Sequence, residues 1–456
     1  MNRIHLTRPQ AVEIVEALRS REGAAGTVEN QIYALGRLSR PDGSGVVRVD
    51  RIIPIRPNQY GKRESYGVAL KPDALAGLVA ATREHGGVFV KFHYHPMFGN
   101  SPINHFSGSD DLADKQLGEL IGADQACFSV LMAEQPHGDY RFFARRAHPD
   151  GRLEPCSLME LRAPFRVHAP EATERLRSER FTRAKLDFGE GIVNTLWSLH
   201  VGIIGCGGLG WRAACALADS GVGSLCLIEY DKIEEGNLPR LPSAFPDDVG
   251  KFKLDVLATY LTRRYSDLAV ETHRLNIIDA LDRVDRVRTE TVNVLKSCDV
   301  VLLVTDDHPS RYTPLLVCED NLIPYIHCGM HPVGRDNMFC DVSIHVPGEG
   351  PCACCMRLID ENEGSRRGEA YIKGARFPNV AAWNAVAAGY VANAVRMLAV
   401  PLEGERLDRQ RAWRIGLSSP SVEVLRPYRQ ACDACSKPHG EAHLVTTAPK
   451  SGGNVA

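Results

Sequence analysis

The residues whose types and spacing suit chemistry best begin with a glycine-rich segment at 205–210, directly after an apolar run at 201–204. We expect a helix at 211–219 and a second strand at 224–228, which together make a βαβ unit. In such a unit, Gly205, Gly207 and Gly210 permit a tight turn, close approach of the backbone to phosphate, and close helix packing. The helix N-terminus adds amide N–H donors and a partial positive charge. The pattern therefore predicts a site for the phosphates of a nucleotide.

Polar and cationic side chains follow the second strand and narrow the choice of nucleotide. Asn237 and Arg240 come just after that strand, and Lys253 comes soon after them. Two cations directed at one phosphate site favour a nucleoside triphosphate over a dinucleotide. An oxidoreductase that uses a nicotinamide cofactor remains the alternative, because the glycine pattern alone would also fit it.

The ordered set of motifs resembles the family of ubiquitin-activating enzymes and their bacterial ThiF-type relatives, over roughly residues 179–435. Members adenylate ubiquitin-like proteins, or the sulfur carriers of molybdopterin and thiamine synthesis. The resemblance implies that ATP and Mg2+ are required, and that the chain forms a homodimer. It implies that these residues bind ATP: Gly205, Gly207, Gly208, Gly210, Glu229, Asp231, Asn237, Arg240, Lys253 and Asp306.

The same resemblance implies individual roles within this set. Glu229 holds the ribose hydroxyls, Lys253 neutralises the α-phosphate, and Asp306 of the sequence T-D-D holds Mg2+. Arg183 reaches ATP across the interface of a dimer. The residues implied to act in catalysis are thus Arg240, Lys253, Asp306 and Arg183.

Two C-x-x-C pairs stand out among the 14 cysteines of the chain. They are Cys352 with Cys355, and Cys432 with Cys435. Four thiolates in two such pairs suit a tetrahedral zinc ion. The resembling family carries the same pairs in the same order, which implies a structural Zn2+ site here.

Many ubiquitin-activating enzymes also carry a catalytic cysteine in a crossover segment, and this position matters for the fate of the adenylate. The corresponding segment, 361–380, contains no cysteine. Cys318, Cys328 and Cys340 remain, but the first two lie in apolar stretches and are expected to be core thiols. No thioester cysteine is therefore assigned.

A histidine pair, His93 and His95, follows an apolar strand expected at 88–92. Side chains at positions i and i+2 of a strand lie on one face. With a nearby carboxylate they make a zinc site of three ligands and an open position, as in hydrolytic enzymes. The sequence therefore predicts a second, catalytic metal site.

The histidine pair and the S-x-x-D segment after it resemble the JAMM (MPN) metalloisopeptidases, which cut ubiquitin-like proteins from their conjugates. The resemblance implies His93, His95 and Asp110 as zinc ligands, Ser107 as an oxyanion stabiliser and Glu29 as the general base. Asp111 is an alternative to Asp110, and Glu22 is an alternative to Glu29. A domain that keeps this fold but only binds a partner is the alternative to an active enzyme.

The elements that position these residues predict two domains and a tail. We expect an α+β JAMM-type domain at 1–165, a Rossmann-like α/β adenylation domain with structural zinc at 166–440, and a disordered tail at 441–456. A linker is expected at 162–183. In the first domain we expect helices at 6–21 and 72–85 and strands at 31–38, 46–55, 66–70 and 88–92. In the second domain we expect strands at 201–204, 224–228, 270–273, 299–304 and 325–327, an antiparallel extension at 337–345, and a buried helix at 380–398.

The balance of charge limits the classes of partner. The chain has 54 basic and 56 acidic residues, a net charge of -2, which argues against a general nucleic-acid binder. No apolar run is long enough to span a membrane, and the polar start does not resemble a signal peptide. We therefore expect a cytoplasmic protein.

These observations favour ATP-dependent adenylation of the C-terminal glycine of a ubiquitin-like protein, with an N-terminal domain that processes or deconjugates it. The pairing resembles bacterial ubiquitin-like conjugation operons, some of which are linked to phage defence. A conjugating enzyme is a candidate second partner. The alternatives are a sulfur-carrier adenylyltransferase for cofactor synthesis, which the missing crossover cysteine favours, and a non-catalytic scaffold that binds a ubiquitin-like protein.

Overall fold

The structure is a computed structural model that describes residues 2–20, 28–40, 45–64, 67–85, 87–170, 181–182, 186, 190–333, 337–360, 381–402, 405, 407, 411–419 and 421–436. The chain divides into two compact units. Among the described residues, one unit runs from Asn2 to Glu160 and includes His168–Pro170, and the other consists of Leu161–Val167 and the residues described from Phe181 onward. The predicted domain assignments stay predictions, because compactness does not identify a function.

In its described residues, the first unit contains an eight-stranded sheet and three α-helices. Its strands are β1 (Arg3–Thr7), β2 (Gln31–Leu38), β3 (Val46–Ile53), β4 (Tyr60–Glu64), β5 (Gly67–Leu70), β6 (Val88–His95), β7 (Ala126–Glu134), β8 (Tyr140–Ala147) and β9 (Leu153–Leu161), with β10 (Arg166–His168) last in the order of the sheet. The order is β1-β3-β2-β6-β7-β8-β9-β10, with a further pairing of β1 and β9, while β4 and β5 form a separate hairpin. The helices are α1 (Arg8–Arg19), α2 (Pro72–His85) and α3 (Gly108–Ile121).

Local chemistry explains where two of these helices begin. The Thr7 side chain accepts a hydrogen bond from the Gln10 backbone N–H, and the Gln10 side chain caps Thr7 in return. The predicted helix start at residue 6 was therefore wrong, because residues up to Thr7 belong to β1. Ser107 caps α3 through the Asp110 backbone N–H, which fixes the helix that carries the predicted metal ligand.

The central strand β6 is buried along its whole length and includes both histidines of the predicted metal site. The predicted strand at 88–92 was thus too short. The strand predicted at 46–55 ends at Ile53, and the one predicted at 66–70 is described from Gly67. β7, β8 and β9 were not predicted, and β10 lies within the predicted linker.

The second unit holds another eight-stranded sheet, with the order β13-β12-β11-β14-β15-β16-β17-β18. Its strands are β11 (His200–Ile204), β12 (Ser224–Ile228), β13 (Ala269–His273), β14 (Val300–Leu303), β15 (Tyr325–Val333), β16 (Asn337–His345), β17 (Ala412–Gly416) and β18 (Ser421–Val424). Its helices are α4 (Glu190–Ser198), α5 (Gly208–Asp219), α6 (Lys253–Arg264), α7 (Ile277–Asp282), α8 (Arg286–Lys296), α9 (His308–Asp320) and α10 (Ala381–Ala399).

The strand directions confirm the predicted Rossmann-like α/β fold of this unit. β11 pairs in parallel with β12 on one side and with β14 on the other. β12 in turn pairs in parallel with β13, and β14 pairs in parallel with β15. β16 is antiparallel to β15, which confirms the predicted antiparallel extension. β11 and β14 are fully buried, as expected for parallel strands covered on both faces. Helix α5 begins at Gly208 rather than at the predicted residue 211, so the glycine segment forms its first turn.

In the described part of the chain, no helix combines the length and the apolar character needed to cross a membrane. The longest helix, α10, is rich in alanine and packs against α5, β15 and β16. The predicted tail at 441–456 lies outside the described residues.

Candidate functional site

The glycine turn lies at the end of β11, where α5 begins. Gly205 has φ of +94°, a conformation that residues with a Cβ rarely adopt. A Cβ on Gly210 would lie 1.8 Å from the Gly205 carbonyl oxygen, so the turn and the helix can approach only if residue 210 is glycine. A Cβ on Gly208 would lie 2.7 Å from Asn384 Nδ2. These three positions are constrained by the protein itself.

Gly207 differs, because a Cβ added there would meet nothing within 4 Å. Gly207 is also the N-cap of α5, and no side chain caps the helix there. Uncapped N–H groups at a helix N-terminus form a site for an anion. The space beside Gly207 is therefore the candidate position for a phosphate group.

Glu229 ties the glycine turn to the end of β12. One carboxylate oxygen accepts a hydrogen bond from Cys206 N at 3.0 Å, and the other accepts from Tyr230 N at 2.9 Å and Asp231 N at 3.1 Å. The side chain is thus held rigidly beside the turn. Its role towards ribose stays a prediction.

A cationic side chain stands at the start of α6. Lys253 Nζ lies 2.8 Å from Asp231 Oδ2, and the side chain of Lys253 is 10% exposed against 48% for Asp231. Asn237 is buried in the 3-10 helix Glu235–Arg240. Arg240 closes that helix, and its Cδ would lie 3.2 Å from a Cβ on Gly208. Arg240 therefore lies beside the glycine turn, and Lys253 is close enough for its charge to act on the Cys206 thiol of that turn.

The segment after β14 lies beside the same turn. A Cβ on Gly205 would lie 2.8 Å from Thr305 Cγ2. Asp307 caps α9 by accepting a hydrogen bond from Ser310 N at 2.8 Å, while Asp306 is exposed. Asp306 therefore directly follows the residue that contacts the turn, and its role as a ligand for Mg2+ stays a prediction.

The sequence reasoning missed Arg311, which positions this segment. Its Nε donates a hydrogen bond to the Thr305 carbonyl oxygen at 2.7 Å. The side chain is buried, and burial lowers the pKa of its guanidinium. A signal existed in the sequence, since an arginine in the first turns of a helix that follows T-D-D is well placed to fold back on that loop.

The two C-x-x-C pairs come together as a cluster of four sulfur atoms. The Sγ atoms of Cys352 and Cys432 are 3.4 Å apart, those of Cys355 and Cys435 are 3.6 Å apart, and the two atoms within each pair are 3.8 Å apart. Tetrahedral Zn–S bonds of about 2.3 Å place sulfur atoms about 3.8 Å from one another. The donor set therefore fits Zn2+ in both chemistry and size.

In the first unit, both histidines of β6 face the carboxylate of Asp110. His93 Nε2 lies 3.3 Å from Asp110 Oδ1, and His95 Nε2 lies 3.4 Å from Asp110 Oδ2. Tetrahedral bonds of zinc to nitrogen and oxygen, about 2.0–2.2 Å long, place such atoms about 3.4 Å apart. Both ring nitrogens of His93 are buried without a hydrogen-bond partner, so the donor set fits a metal ion. Burial lowers the pKa of His93, which keeps the ring neutral, as a ligand must be.

Glu29 and Ser107 lie at the edge of this group. Glu29 Oε1 is 4.0 Å from His95 Nε2, and burial raises the pKa of Glu29 to about 7. Ser107 Oγ donates to Asp110 Oδ2 at 2.7 Å, which orients the carboxylate. Burial opposes ionisation of Asp110, but the nearby rings of His93 and His95 outweigh it and lower the pKa of Asp110.

The alternative ligand, Asp111, points elsewhere. Its Oδ1 accepts a hydrogen bond from Arg145 Nη1 at 2.5 Å, and its side chain is half exposed. Arg145 also donates to the buried Asp114 at 2.6 Å, and Asp114 pairs with Lys91. This buried network behind the histidines was not predicted, because its members are scattered along the sequence.

Some of the predicted residues lie where the structure does not describe the chain, and others are buried. Arg183 and Glu22 lie outside the described residues, and so does the crossover segment 361–380. The three cysteines left open for a thioester, Cys318, Cys328 and Cys340, are all buried.

The fold and site define a nucleotide-binding α/β unit, and comparison with known proteins identifies its class. The ThiF family matches residues 181–435, and the chain belongs to the ThiF family. It is 30% identical over 177 residues to ubiquitin-like modifier-activating enzyme 5 of Drosophila ananassae. The aligned region covers 37% of this chain and 44% of the relative. It is 32% identical over 161 residues to the SAMP-activating enzyme E1 of Haloferax volcanii. Here the aligned region covers 35% of this chain and 54% of the relative.

Among solved structures, E. coli MccB is similar, with 26% identity, a TM-score of 0.44, and coverage of 60% of this chain and 76% of that one. The chain spans about half the length of the curated relatives it matches.

Proposed function

We propose that this chain uses ATP to adenylate the C-terminal glycine of a ubiquitin-like protein. The observation that carries the proposal is the open side of the glycine turn at Gly207, with Arg240 beside it and Lys253 close enough to act electrostatically on Cys206 of the turn. Membership of the ThiF family supports it. So do the two relatives, whose names describe activation of a ubiquitin-like modifier and of SAMP.

In the proposed reaction, an oxygen of the substrate's terminal carboxylate bonds to the α-phosphorus of ATP. The bond from that phosphorus to the bridging oxygen of the β-phosphate breaks, so pyrophosphate leaves and an acyl-adenylate remains. Lys253 and Arg240 stabilise the charge that builds on the phosphate oxygens. Asp306 is the proposed ligand of Mg2+, which supplies positive charge to the phosphates when bound.

The finer assignments belong to the same proposal. Arg183 reaches ATP from the second subunit of a homodimer, and a conjugating enzyme receives the activated modifier. The protein acts in the cytoplasm, within a bacterial conjugation operon of the kind that includes phage-defence systems. In this proposal, the JAMM-type domain comprises residues 1–165, the adenylation domain comprises residues 166–440, and residues 441–456 form the tail.

A sulfur-carrier adenylyltransferase is a second candidate, which the cysteines favour. Each of the 14 cysteines of the chain is buried or half-buried. Burial raises the pKa of Cys215, one of the half-buried thiols, to about 11, which disfavours the reactive thiolate. A thiol acceptor supplied by another protein, or sulfide delivery to the adenylate, is therefore more compatible with these residues.

Partner-dependent ATP–pyrophosphate exchange tests the proposal. The full chain is incubated with candidate ubiquitin-like proteins encoded near its gene, each with and without its C-terminal glycine. We expect exchange with one partner only, and no exchange once the glycine is removed. Exchange without any partner, or none with any candidate while NAD binds, would contradict adenylation of a protein substrate.

We propose a zinc-dependent isopeptidase activity for the first unit, carried by the His93, His95 and Asp110 cluster. Zn2+ would be held by these three side chains, and when bound it supplies Lewis acidity at this position. Glu29, with a pKa raised to about 7, accepts a proton from the attacking water and delivers it to the leaving amine. Ser107 is proposed to stabilise the developing oxyanion. In this way the unit would trim or remove the same modifier that the second unit activates.

Cleavage of a ubiquitin-like protein with a short C-terminal extension tests this activity. We expect wild-type chain to release the extension and Glu29→Gln to be inactive while retaining the metal ion. Equal cleavage by both proteins would refute the role of Glu29, and lack of cleavage by either would favour a binding domain.

A further inference from the structure

We propose that His200, Cys226 and Cys298, completed by Glu271, bind a thiophilic d-block cation of the Zn2+ class. This cluster lies in the second unit but is distinct from its other candidate sites. His200 is the first residue of β11, whereas the glycine turn follows the last residue of that strand. The cluster also shares no residue with the group of four cysteines.

The register of the parallel sheet places three of these side chains on one face. His200 is paired with Ser224, Gly202 with Cys226, and Cys226 in turn with Glu271. Paired positions of neighbouring strands project to the same face, and alternate residues of a strand share a face. Side chains from β11, β12 and β13 therefore meet although they are far apart in sequence.

Cys298 joins this face from the end of α8. Its N–H bonds to the Leu295 carbonyl oxygen at 3.1 Å, and the next residue, Asp299, accepts a hydrogen bond from His200 N at 2.7 Å. A Cβ on Gly202 would lie 2.9 Å from Cys298 Sγ. The absence of a side chain at residue 202 thus gives the thiol its place on the sheet, and the ligand atoms of His200, Cys226 and Cys298 all lie within 4.8 Å of one another.

His200 presents an unused nitrogen to this group. The residue is 5% exposed, its Nδ1 is hydrogen-bonded to Ser224 Oγ at 2.6 Å, and its Nε2 is buried without a hydrogen-bond partner. When Nδ1 carries the proton and donates it to the serine, Nε2 carries the lone pair. This is how a second shell prepares a histidine ligand for a metal ion. A bound cation would also satisfy a polar atom that is otherwise costly to bury.

The charge of the donor set suits a divalent ion. Binding releases one proton from each thiol to solvent, so the two thiolates and the Glu271 carboxylate together carry three negative charges and their complex with Zn2+ carries one net negative charge. Glu271 Oε2 lies 4.0 Å from His200 Nε2 and is the proposed fourth ligand. One imidazole, two thiolates and one carboxylate select zinc over hard cations such as Mg2+.

An access route exists on the side of Glu271. β13 is the edge strand of the sheet, and the side chains of Glu271 and His273 are both partly exposed. His273 Nε2 lies 2.6 Å from Glu271 Oε1, and Cys226, Glu271 and His273 form a second, overlapping group of candidate ligands. An incoming ion would therefore meet this outer group first and reach the buried thiols through Glu271.

Zinc-edge anomalous diffraction from crystals of the full chain grown with Zn2+ tests the proposal directly. We expect a peak within bonding distance of His200 Nε2 and both thiol sulfur atoms, in addition to the peak at the four cysteines. A map without this peak, or with a disulfide between Cys226 and Cys298, would overturn the proposal.

Elemental analysis of variants gives an independent readout. Cys226→Ser and Cys298→Ser should each lose about one zinc per chain relative to wild type. Cys318→Ser is the matched control, because Cys318 is a buried thiol of the same hydrophobic core outside the cluster. Equal zinc in all three variants would overturn the proposal, and if a variant fails to fold, the wild-type map decides.

Discussion

Lys253 Nζ lies 2.8 Å from Asp231 Oδ2, although the two residues are 22 positions apart. A second bond, from Lys253 N to the Asp231 carbonyl oxygen at 3.0 Å, holds the start of α6 against the segment that follows β12. The lysine is nearly buried and its partner is half exposed, so the cation is held in place before nucleotide arrives. Such preorganisation of charge is what stabilisation of a phosphoryl transition state requires.

Substitution by alanine at two glycines of the same turn should affect different properties, namely stability at Gly210 and ATP binding at Gly207. Gly210→Ala places a Cβ 1.8 Å from the Gly205 carbonyl oxygen, so we expect a loss of about 1–3 kcal/mol of stability from overpacking. Gly207→Ala meets no protein atom within 4 Å, so its melting temperature should match wild type. It should nevertheless weaken ATP binding by about tenfold, because the methyl group enters the phosphate space. Thermal melts and ATP titrations check both, and a Gly207→Ala variant with wild-type affinity would contradict the assigned phosphate position.

The four-cysteine cluster should behave as a structural zinc site. Cys352→Ser or Cys432→Ser should lose about one zinc per chain and lower the melting temperature, since metal binding adds to folding energy. Cys354→Ser is the control within the same segment and should keep the metal. Elemental analysis with thermal melts measures both effects, and zinc retained in Cys352→Ser would contradict the assignment.

Neighbouring aspartates allow a sharp test of the metal site in the first unit. Asp110→Asn should lose zinc from this site, because Asp110 faces both histidines. Asp111→Asn should retain it, because Asp111 is bonded to Arg145 instead. Zinc content of the two purified variants decides between them, and the reverse pattern would show that the other carboxylate is the ligand.

A buried glutamate outside these sites predicts how stability depends on pH. Glu319 accepts a hydrogen bond from Tyr325 Oη at 2.7 Å, and burial raises its pKa from 4.5 to about 7. The folded state therefore binds a proton that the unfolded state has lost above pH 4.5. The stabilisation, on the order of 3 kcal/mol, is present below pH 4.5 and is lost as pH rises to about 7.

Glu319→Gln should remove this dependence, since the amide stays neutral at every pH. Denaturant unfolding at pH 5 and pH 8 should show a smaller loss of stability for the variant than for wild type. Asp320→Asn, which changes an exposed neighbour, is the control and should keep the wild-type slope. Identical slopes for Glu319→Gln and wild type would contradict the raised pKa.

The sequence predicted those elements whose pattern is local. The apolar run before the glycines and the acidic end of β12 predict a βαβ unit, because a phosphate-binding turn requires these residue types at fixed spacing. β7, β8 and β9 escaped prediction since they carry no chemical motif and are defined by pairing with β6 and one another.

Some features of the sites could not be predicted either, because they depend on how separate segments come together in the fold. The choice between Asp110 and Asp111 depends on which of two adjacent side chains the first turn of α3 directs towards β6, and spacing alone cannot distinguish them. The meeting of His200 with Cys298 depends on a hydrogen bond between residues 99 positions apart, His200 and Asp299. Such proximity arises from sheet register, which no single segment encodes.

The most direct test of the central claim is pyrophosphate exchange by wild type, Lys253→Ala and Lys251→Ala with the ubiquitin-like partner present. Lys251 is the matched control, because it is exposed and pairs with Asp248 rather than with Asp231. We predict that Lys253→Ala lowers the exchange rate by about 100- to 1,000-fold, through loss of a charge that acts on the transition state. Lys251→Ala should exchange at the wild-type rate. Exchange by Lys253→Ala at the rate of Lys251→Ala would contradict the proposed adenylation site.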